Sequence, residues 1–354
     1  MKTVYVGMSG GVDSSVAAAL LARGGYRVVG VYMKNWTQDV AGVACPWRQD
    51  LADARAAAAV LDIPFKVFDF QAEYKQHVVD AMVAEYEAGR TPNPDVMCNQ
   101  EIKFKLFLQA ALADGADLVA TGHYARTAGG QLLTARDTAK DQTYFLYRVT
   151  RAALEQTLFP LGELTKPEVR ALAAEFGLPT ADKPDSQGIC FVGEVGIKEF
   201  LRQYVVAEPG PVVDVAGRTL GQHDGALFYT IGQRHGLGIG GGKPFYVTGK
   251  NITTNTVYVT ADPADLALES ADLTLEQPHW IGGKAPAAGP GYQLRARYRA
   301  DMIGAELMPA GHHWHVRLAR PERAISPGQS AVIYRGDEVL GGGIIAAAAA
   351  LDNR

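Results

Sequence analysis

The chain has 354 residues, 47% hydrophobic and 20% charged, a balance that excludes a disordered polyelectrolyte and leaves room for two or three domains of roughly 100 to 200 residues each. Three cysteines, Cys45, Cys98 and Cys190, are an odd and sparse set that excludes a secreted disulfide framework and directs any cysteine chemistry to catalysis or metal binding. The net charge is −4, but residues 281–354 carry nine Lys and Arg against six Asp and Glu, a local +3 that leaves −7 for the rest, so the C-terminal end suits a phosphate backbone.

From Met1 the sequence runs directly into an apolar stretch without a long hydrophobic leader, and it nowhere reaches 18 consecutive apolar residues. A cytoplasmic protein with no membrane partner is expected. Thr3 to Met8 reads as a strand, Ser14 to Arg23 as a helix, Tyr26 to Met33 as a strand, Leu51 to Leu61 as a helix and Phe65 to Phe70 as a third strand, followed by a long helix to about Ala88. The two prolines of Arg90-Thr91-Pro92-Asn93-Pro94-Asp95 interrupt regular helix. A further helix is expected near Ile102 to Leu112, then a strand at Asp117 to Thr121, and a helix entered at Thr165 and left at Gly177. This alternation predicts a doubly wound α/β domain with a parallel sheet over residues 1–207.

After Pro209 the texture changes to short β-like runs punctuated by Gly and Pro: Pro211 to Val215, Leu227 to Ile231, Phe245 to Gly249 and Thr256 to Val259. These predict a central β-rich domain over 208–276. Tyr292 to Tyr298, His313 to Leu318, Ser330 to Tyr334 and Val339 to Ile345 then read as strands of a C-terminal β-barrel over 277–354.

Ser9-Gly10-Gly11-Val12-Asp13-Ser14 sits where the first strand ends and the first helix begins. Paired glycines let the backbone approach phosphate oxygens, and the free N–H groups of the following helix supply donors. Asp13 makes sense there if Mg2+ bridges it to the phosphates. The chain lacks the Gly-x-x-x-x-Gly-Lys-[Ser/Thr] phosphate loop, and Gly236-Leu237-Gly238-Ile239-Gly240-Gly241, which formally fits the dinucleotide pattern, is followed by a strand-like run and not by a helix. The Ser-Gly-Gly-x-Asp-Ser loop instead resembles that of the ATP pyrophosphatase superfamily, whose members cleave ATP between the α and β phosphates to form adenylates.

Cys98 lies three residues after Asp95 and just before the helix expected near Ile102, where a helix N-terminus favours the thiolate and Asp95 is placed to act as general acid or base. Cys190 lies in Asp185-Ser186-Gln187-Gly188-Ile189-Cys190-Phe191. Cys45 fits no motif, although it and Trp47 fall near the expected nucleotide edge.

Together with Gly7-Met8, Met33-Lys34-Asn35-Trp36, Cys98-Asn99, Lys103-Phe104, Ala120-Thr121-Gly122-His123-Tyr124, Lys140-Asp141-Gln142, Phe159-Pro160, Gly232-Gln233-Arg234, Pro327-Gly328-Gln329-Ser330 and Leu340-Gly341-Gly342-Gly343-Ile344-Ile345, these segments resemble, in order and over essentially the whole chain, the tRNA-specific 2-thiouridylases. The resemblance implies ATP-dependent 2-thiolation of the wobble uridine, position 34, of tRNAs of the Lys, Glu and Gln type. The C2 oxygen is adenylated, and sulfur then arrives from a persulfide on Cys190, with Cys98 as nucleophile and a transient Cys98–Cys190 disulfide. By the same matching, Gly7, Met8, Ser9, Gly10, Gly11, Val12, Asp13, Ser14, Met33 and Gly122 would bind ATP. Asn93, Pro94 and Asp95 would meet the target base, and His123, Lys140, Asp141, Gln142, Arg297, Tyr298 and Gln329 the tRNA. The implied partner beside tRNA is a sulfur donor such as a cysteine desulfurase or a sulfur-relay carrier. Three alternatives stay open: another adenylating enzyme on the same loop, a tRNA-binding protein without catalysis, and a less favoured mechanism in which Cys98, Cys190 and Asp95 ligate an iron-sulfur cluster.

Overall fold

The structure, a computed structural model, describes residues 1–40, 42–184, 196–240 and 242–351. The Asp185 to Phe191 segment with Cys190, and Gly241, therefore lie outside the described residues.

β1 (Thr3–Gly7) is buried along its whole length, as expected of a central parallel strand covered on both faces. It is flanked by β2 (Arg27–Lys34) and β4 (Leu118–Thr121), with β3 (Phe65–Asp69) outside β2. A hairpin of β5 (Arg126–Ala128) and β6 (Gln131–Leu133) follows, and β7 (Thr157–Leu158) returns to edge β4. The order β3-β2-β1-β4-β7 is parallel throughout, the doubly wound sheet expected from the alternation of elements. Its order reverses between β1 and β4, which opens a crevice at their carboxyl ends.

Five helices matter for the site. α1 (Val12–Arg23) and α2 (Trp47–Val60) follow β1 and β2, α2 starting four residues earlier than its apolar periodicity suggests because Pro46 initiates it. α3 spans residues 71–87 and α4 residues 94–113, each with a stretch of wider i→i+5 turns, at Lys75–Asp80 and Cys98–Phe107. α5 (Lys166–Glu175) begins with a capping box in which the Thr165 amide donates to Glu168 Oε2 at 2.7 Å.

The start of α4 corrects the sequence reading. Pro94 does not block the helix but occupies its first position, and Asn93 caps it by accepting from the Val96 amide at 3.3 Å. Proline fits there because its missing N–H would have no intrahelical partner. Cys98 consequently lies inside the helix, past the amides that a helix start leaves unpaired, and not in front of one.

The central sheet comprises β8 (Gly210–Asp214), β9 (Thr219–His223), β10 (Tyr246–Asn251) and β11 (Thr256–Thr260), in the order β10-β11-β8-β9. The Gly236 to Gly240 run lies in the connection leading to β10, with no helix after it. The last six strands are β12 (Glu269–Trp280), β13 (Gly289–Arg295), β14 (Ile303–Ala310), β15 (His313–Arg323), β16 (Ser330–Arg335) and β17 (Glu338–Ala350). They form a barrel in the order β12-β15-β14-β13-β16-β17, closed by pairing of β17 with β12. The β5–β6 hairpin, which the sequence reading did not anticipate, pairs Leu132 and Leu133 with Val339 and Glu338 of β17 and joins the first domain to the barrel. Among the described residues no helix is long and apolar enough to cross a membrane.

Candidate active site at the carboxyl end of the parallel sheet

The Ser9 to Ser14 loop occupies the crevice between β1 and β4. Gly10 is left-handed (φ +78°), and a Cβ there would come within 2.3 Å of the Asp50 carbonyl oxygen in α2, so glycine is required both by conformation and by space. Gly122, at the end of β4, is needed for a different reason: an added Cβ would lie 2.7 Å from the Ser14 amide nitrogen and 2.8 Å from the Asp13 carbonyl carbon. Met33 closes the other side, its Cε 2.9 Å from where a Gly7 Cβ would stand. Residues far apart in sequence and expected to share one nucleotide are thus in contact.

Within the loop the Ser14 hydroxyl accepts from the Ser9 amide at 3.2 Å and lies 3.3 Å from the Ser9 hydroxyl. Asp13 is the loop's single carboxylate. Its Oδ1 accepts from Lys166 Nζ of α5 at 2.7 Å and from the Tyr124 hydroxyl at 2.9 Å. Lys166 was not anticipated, because its partner lies 153 positions away and no local pattern marks it.

Asp95 stands on the first turn of α4, where burial pushes its carboxyl above the usual 3.8 and the nearby Lys103 ammonium partly offsets that rise. Cys98, one turn on, is 5% exposed. Lys103 reaches the end of β4, with its Nζ 3.5 Å from His123 Nε2. The other ring nitrogen, Nδ1, is 2.8 Å from Thr121 Oγ1. Burial, reinforced by Lys103, holds the His123 imidazole well below its ordinary 6.5, and so neutral. The His123 ring also packs edge-on against Phe159 and tilted against Phe104. One short segment, Thr121 to His123, therefore touches the nucleotide loop through Gly122 and the Asp95 helix through His123.

The residues expected at RNA divide into two groups. Arg297 is exposed, with Nη2 3.0 Å from Glu322, and Tyr298 lies against Phe145 at 4.4 Å between ring centroids. Lys140 is half-buried. The others face inward. His123 uses both ring nitrogens as described, and Asp141 is 3% exposed, accepting from the Ala135 amide at 3.0 Å and pairing with Arg295 of the barrel at 3.2 Å. Gln142 Oε1 accepts from the Tyr124 amide at 2.9 Å, and Gln329 Nε2 donates to the Thr91 carbonyl at 2.7 Å. Sequence reading missed the roles of Arg295 and Lys103, whose partners lie on other elements. Cys45 is half-buried with its thiol pushed up, first by desolvation and then by Asp39 and Asp50, which disfavours it as a nucleophile.

Three family profiles match in succession: "tRNA methyl transferase HUP domain" over residues 2–194, "tRNA methyl transferase PRC-barrel domain" over 198–261 and "Aminomethyltransferase beta-barrel domain" over 270–345. Curated relatives are similar along their full length. The tRNA-specific 2-thiouridylase MnmA of Bordetella avium is 49% identical over 97% of both chains. That of Cupriavidus metallidurans is 47% identical over 97% of this chain and 99% of the relative, and that of Nitrosomonas eutropha 47% over 97% and 98%. With identity of that extent across all three domains, the chain belongs to the tRNA-specific 2-thiouridylase family.

Proposed function

We propose that the protein transfers sulfur to C2 of the wobble uridine, position 34, of tRNA at the expense of ATP. The observation that carries this reading is the shared Thr121 to His123 segment, which sets the glycine-rich loop and a thiol-bearing helix against the same strand end. A uracil C2 oxygen is a poor leaving group. Attack of that oxygen on the α-phosphorus of ATP, with loss of pyrophosphate, turns it into AMP, a good one. The glycine-rich loop would cradle the phosphates. The Mg2+ of the nucleotide needs few protein ligands, one or two carboxylates beside the phosphate oxygens, and Asp13, whose Oδ1 is held by Lys166 and Tyr124, would be the loop carboxylate to supply one. The metal would neutralise phosphate charge there.

Asp95, its carboxyl raised by burial, is suited to take the uracil N3 proton as O2 reacts and to return one later. Lys103 supplies a positive charge beside it, held by neutral His123. Sulfur would arrive as a persulfide on Cys190, delivered by a cysteine desulfurase or relay carrier. The terminal sulfur bonds to C2, and Cys98 attacks the Cys190 sulfur. The S–S bond breaks with its electrons passing to the sulfur on C2, AMP departs, and a Cys98–Cys190 disulfide is left for an external thiol to reduce. No step here runs through an iron-sulfur cluster.

The test is ATP-dependent incorporation of labelled sulfur into tRNA transcripts of the Lys, Glu and Gln type and into transcripts with C34. Sulfur should enter only the U34 set, with one AMP formed per sulfur. Cys98→Ser and Cys190→Ser should each abolish it while ATP binding persists. Full activity of either variant with a chemical sulfur donor would refute the two-thiol route.

A further inference from the structure

The loop that delivers Asn93 to the site is held from behind by the other two domains. Among the described residues, the hydrogen bonds of Thr91 all leave its own domain. Its amide donates to the Pro327 carbonyl of the barrel at 2.9 Å. Its carbonyl accepts from Gln329 Nε2 at 2.7 Å, and the same nitrogen lies 3.3 Å from the Pro92 carbonyl. Its hydroxyl is 3.0 Å from the Thr230 hydroxyl of the central domain. Gly328 (φ +91°) fits so closely that an added Cβ would stand 2.7 Å from the Thr91 amide nitrogen, and Ile252 of the central domain fills the space beside Gly89. Arg90 is tied back to Glu85 of α3 by two hydrogen bonds.

Loop amides and carbonyls that leave water must be paired somewhere. Here the partners come from elements 139 to 238 positions away. The first residue after this clamp is Asn93, which caps α4 and fixes where Asp95 and Cys98 begin their turns. We propose that Gln329 is a positioning residue for the reaction. Its amide nitrogen holds the Thr91 and Pro92 carbonyls, so that docking of the barrel, seconded by Thr230, sets the geometry of the Asn93 to Cys98 helix start. The purpose given to that geometry rests on the sulfur-transfer reading above, but the clamp itself is a statement about the order of one loop.

The two are separable by experiment on the full-length protein. Hydrogen exchange of the 88–93 segment reads the clamp without reference to activity, and Gln329→Ala should speed exchange of the Thr91 amide by about tenfold or more. Single-turnover sulfur transfer should fall by about tenfold or more, while the Kd for tRNA and for ATP stays within about twofold. Arg297→Ala, in an exposed side chain outside the clamp, should show the opposite split, with weaker tRNA binding and a retained rate at saturation. Thr230→Val, which keeps the shape and removes only the hydroxyl, should reproduce the Gln329→Ala pattern more weakly and covers the case in which Gln329→Ala melts early. Unchanged exchange in both variants overturns the clamp. So does a Gln329→Ala protein that binds tRNA several-fold more weakly but turns over normally once saturated, which would make Gln329 an RNA contact. A wild-type protein that transfers no sulfur sinks the parent reading, and the exchange result still decides the clamp.

Discussion

Asp95 meets two opposed demands, since the burial that makes its carboxyl a usable acid also makes its charge costly. The sign follows from linkage. Above 3.8 the carboxyl of the unfolded chain ionises freely while the folded one resists, so stability is lost as pH rises from that value towards the folded one. Asp95→Asn escapes the loss. It should melt higher than wild type at pH 7, with the gap closing towards about pH 4, and it should transfer no sulfur. An equal or lower melting temperature at pH 7 would show that the carboxyl is not strained by burial. Gly122 illustrates the steric counterpart. Gly122→Ala puts a methyl group against the Ser14 amide, an overpacking worth about 1–3 kcal/mol. ATP affinity, measured by calorimetry, should drop by at least about tenfold. The glycines were legible in the sequence because their geometry is local to a motif. Lys166 and Arg295 were not, because an ion pair that spans half the chain leaves no trace in spacing.

At the level of elements, the strands of the parallel sheet were readable from unbroken apolar runs, whereas the start of α4 was misplaced by eight residues. Prolines at 92 and 94 read as breakers when only their count is weighed. Asn93-Pro94-Asp95 is instead an entry signal, with a capping amide, a proline whose φ suits the first turn and an acid near the helix N-terminus. The β5–β6 hairpin escaped for another reason, since three-residue strands stable only against β17 have too short a pattern to stand out. Both elements make predictions. Asn93→Ala removes the cap and should cost about 1 kcal/mol in denaturant unfolding, whatever it does to the base. Leu132 is fully buried where the hairpin meets the barrel. Leu132→Ala should cost about 2–5 kcal/mol and should expose the barrel junction to protease. A loss below about 1 kcal/mol would mean that the hairpin contributes little to joining the domains.

Across the whole molecule the largest hydrophobic cluster runs without a break from the parallel sheet through Val212, Val247 and Val257 of the central sheet to Val332 and Tyr334 of the barrel. The three domains therefore share a core, and a titration that destabilises one junction is felt by all. Three histidines, one in each domain, are held in place, and of these His279 faces a junction. His123 lies at the end of β4, His223 accepts from the Gly225 amide at 2.9 Å in the central domain, and His279 of β12 faces the Val149 carbonyl across the junction of the first domain and the barrel. Burial is the leading cause that holds all three below 6.5. The unfolded chain takes up their protons as pH falls through 6.5 and the folded chain does not. Their stability is thus fully present above 6.5 and is lost below it, at up to about 1.4 kcal/mol per pH unit for one fully buried histidine. Asp95 works in the opposite direction over part of the same range, so the measurement belongs in the Asp95→Asn background. There, unfolding free energy should be flat from pH 7.5 to about 6.5 and should decline steadily to about pH 5.5. Replacing His123 by Gln should remove about one proton from the slope. A slope that His123→Gln leaves unchanged would mean that the imidazole is charged in the folded protein, and the neutral ring assigned to hold Lys103 would have to be abandoned.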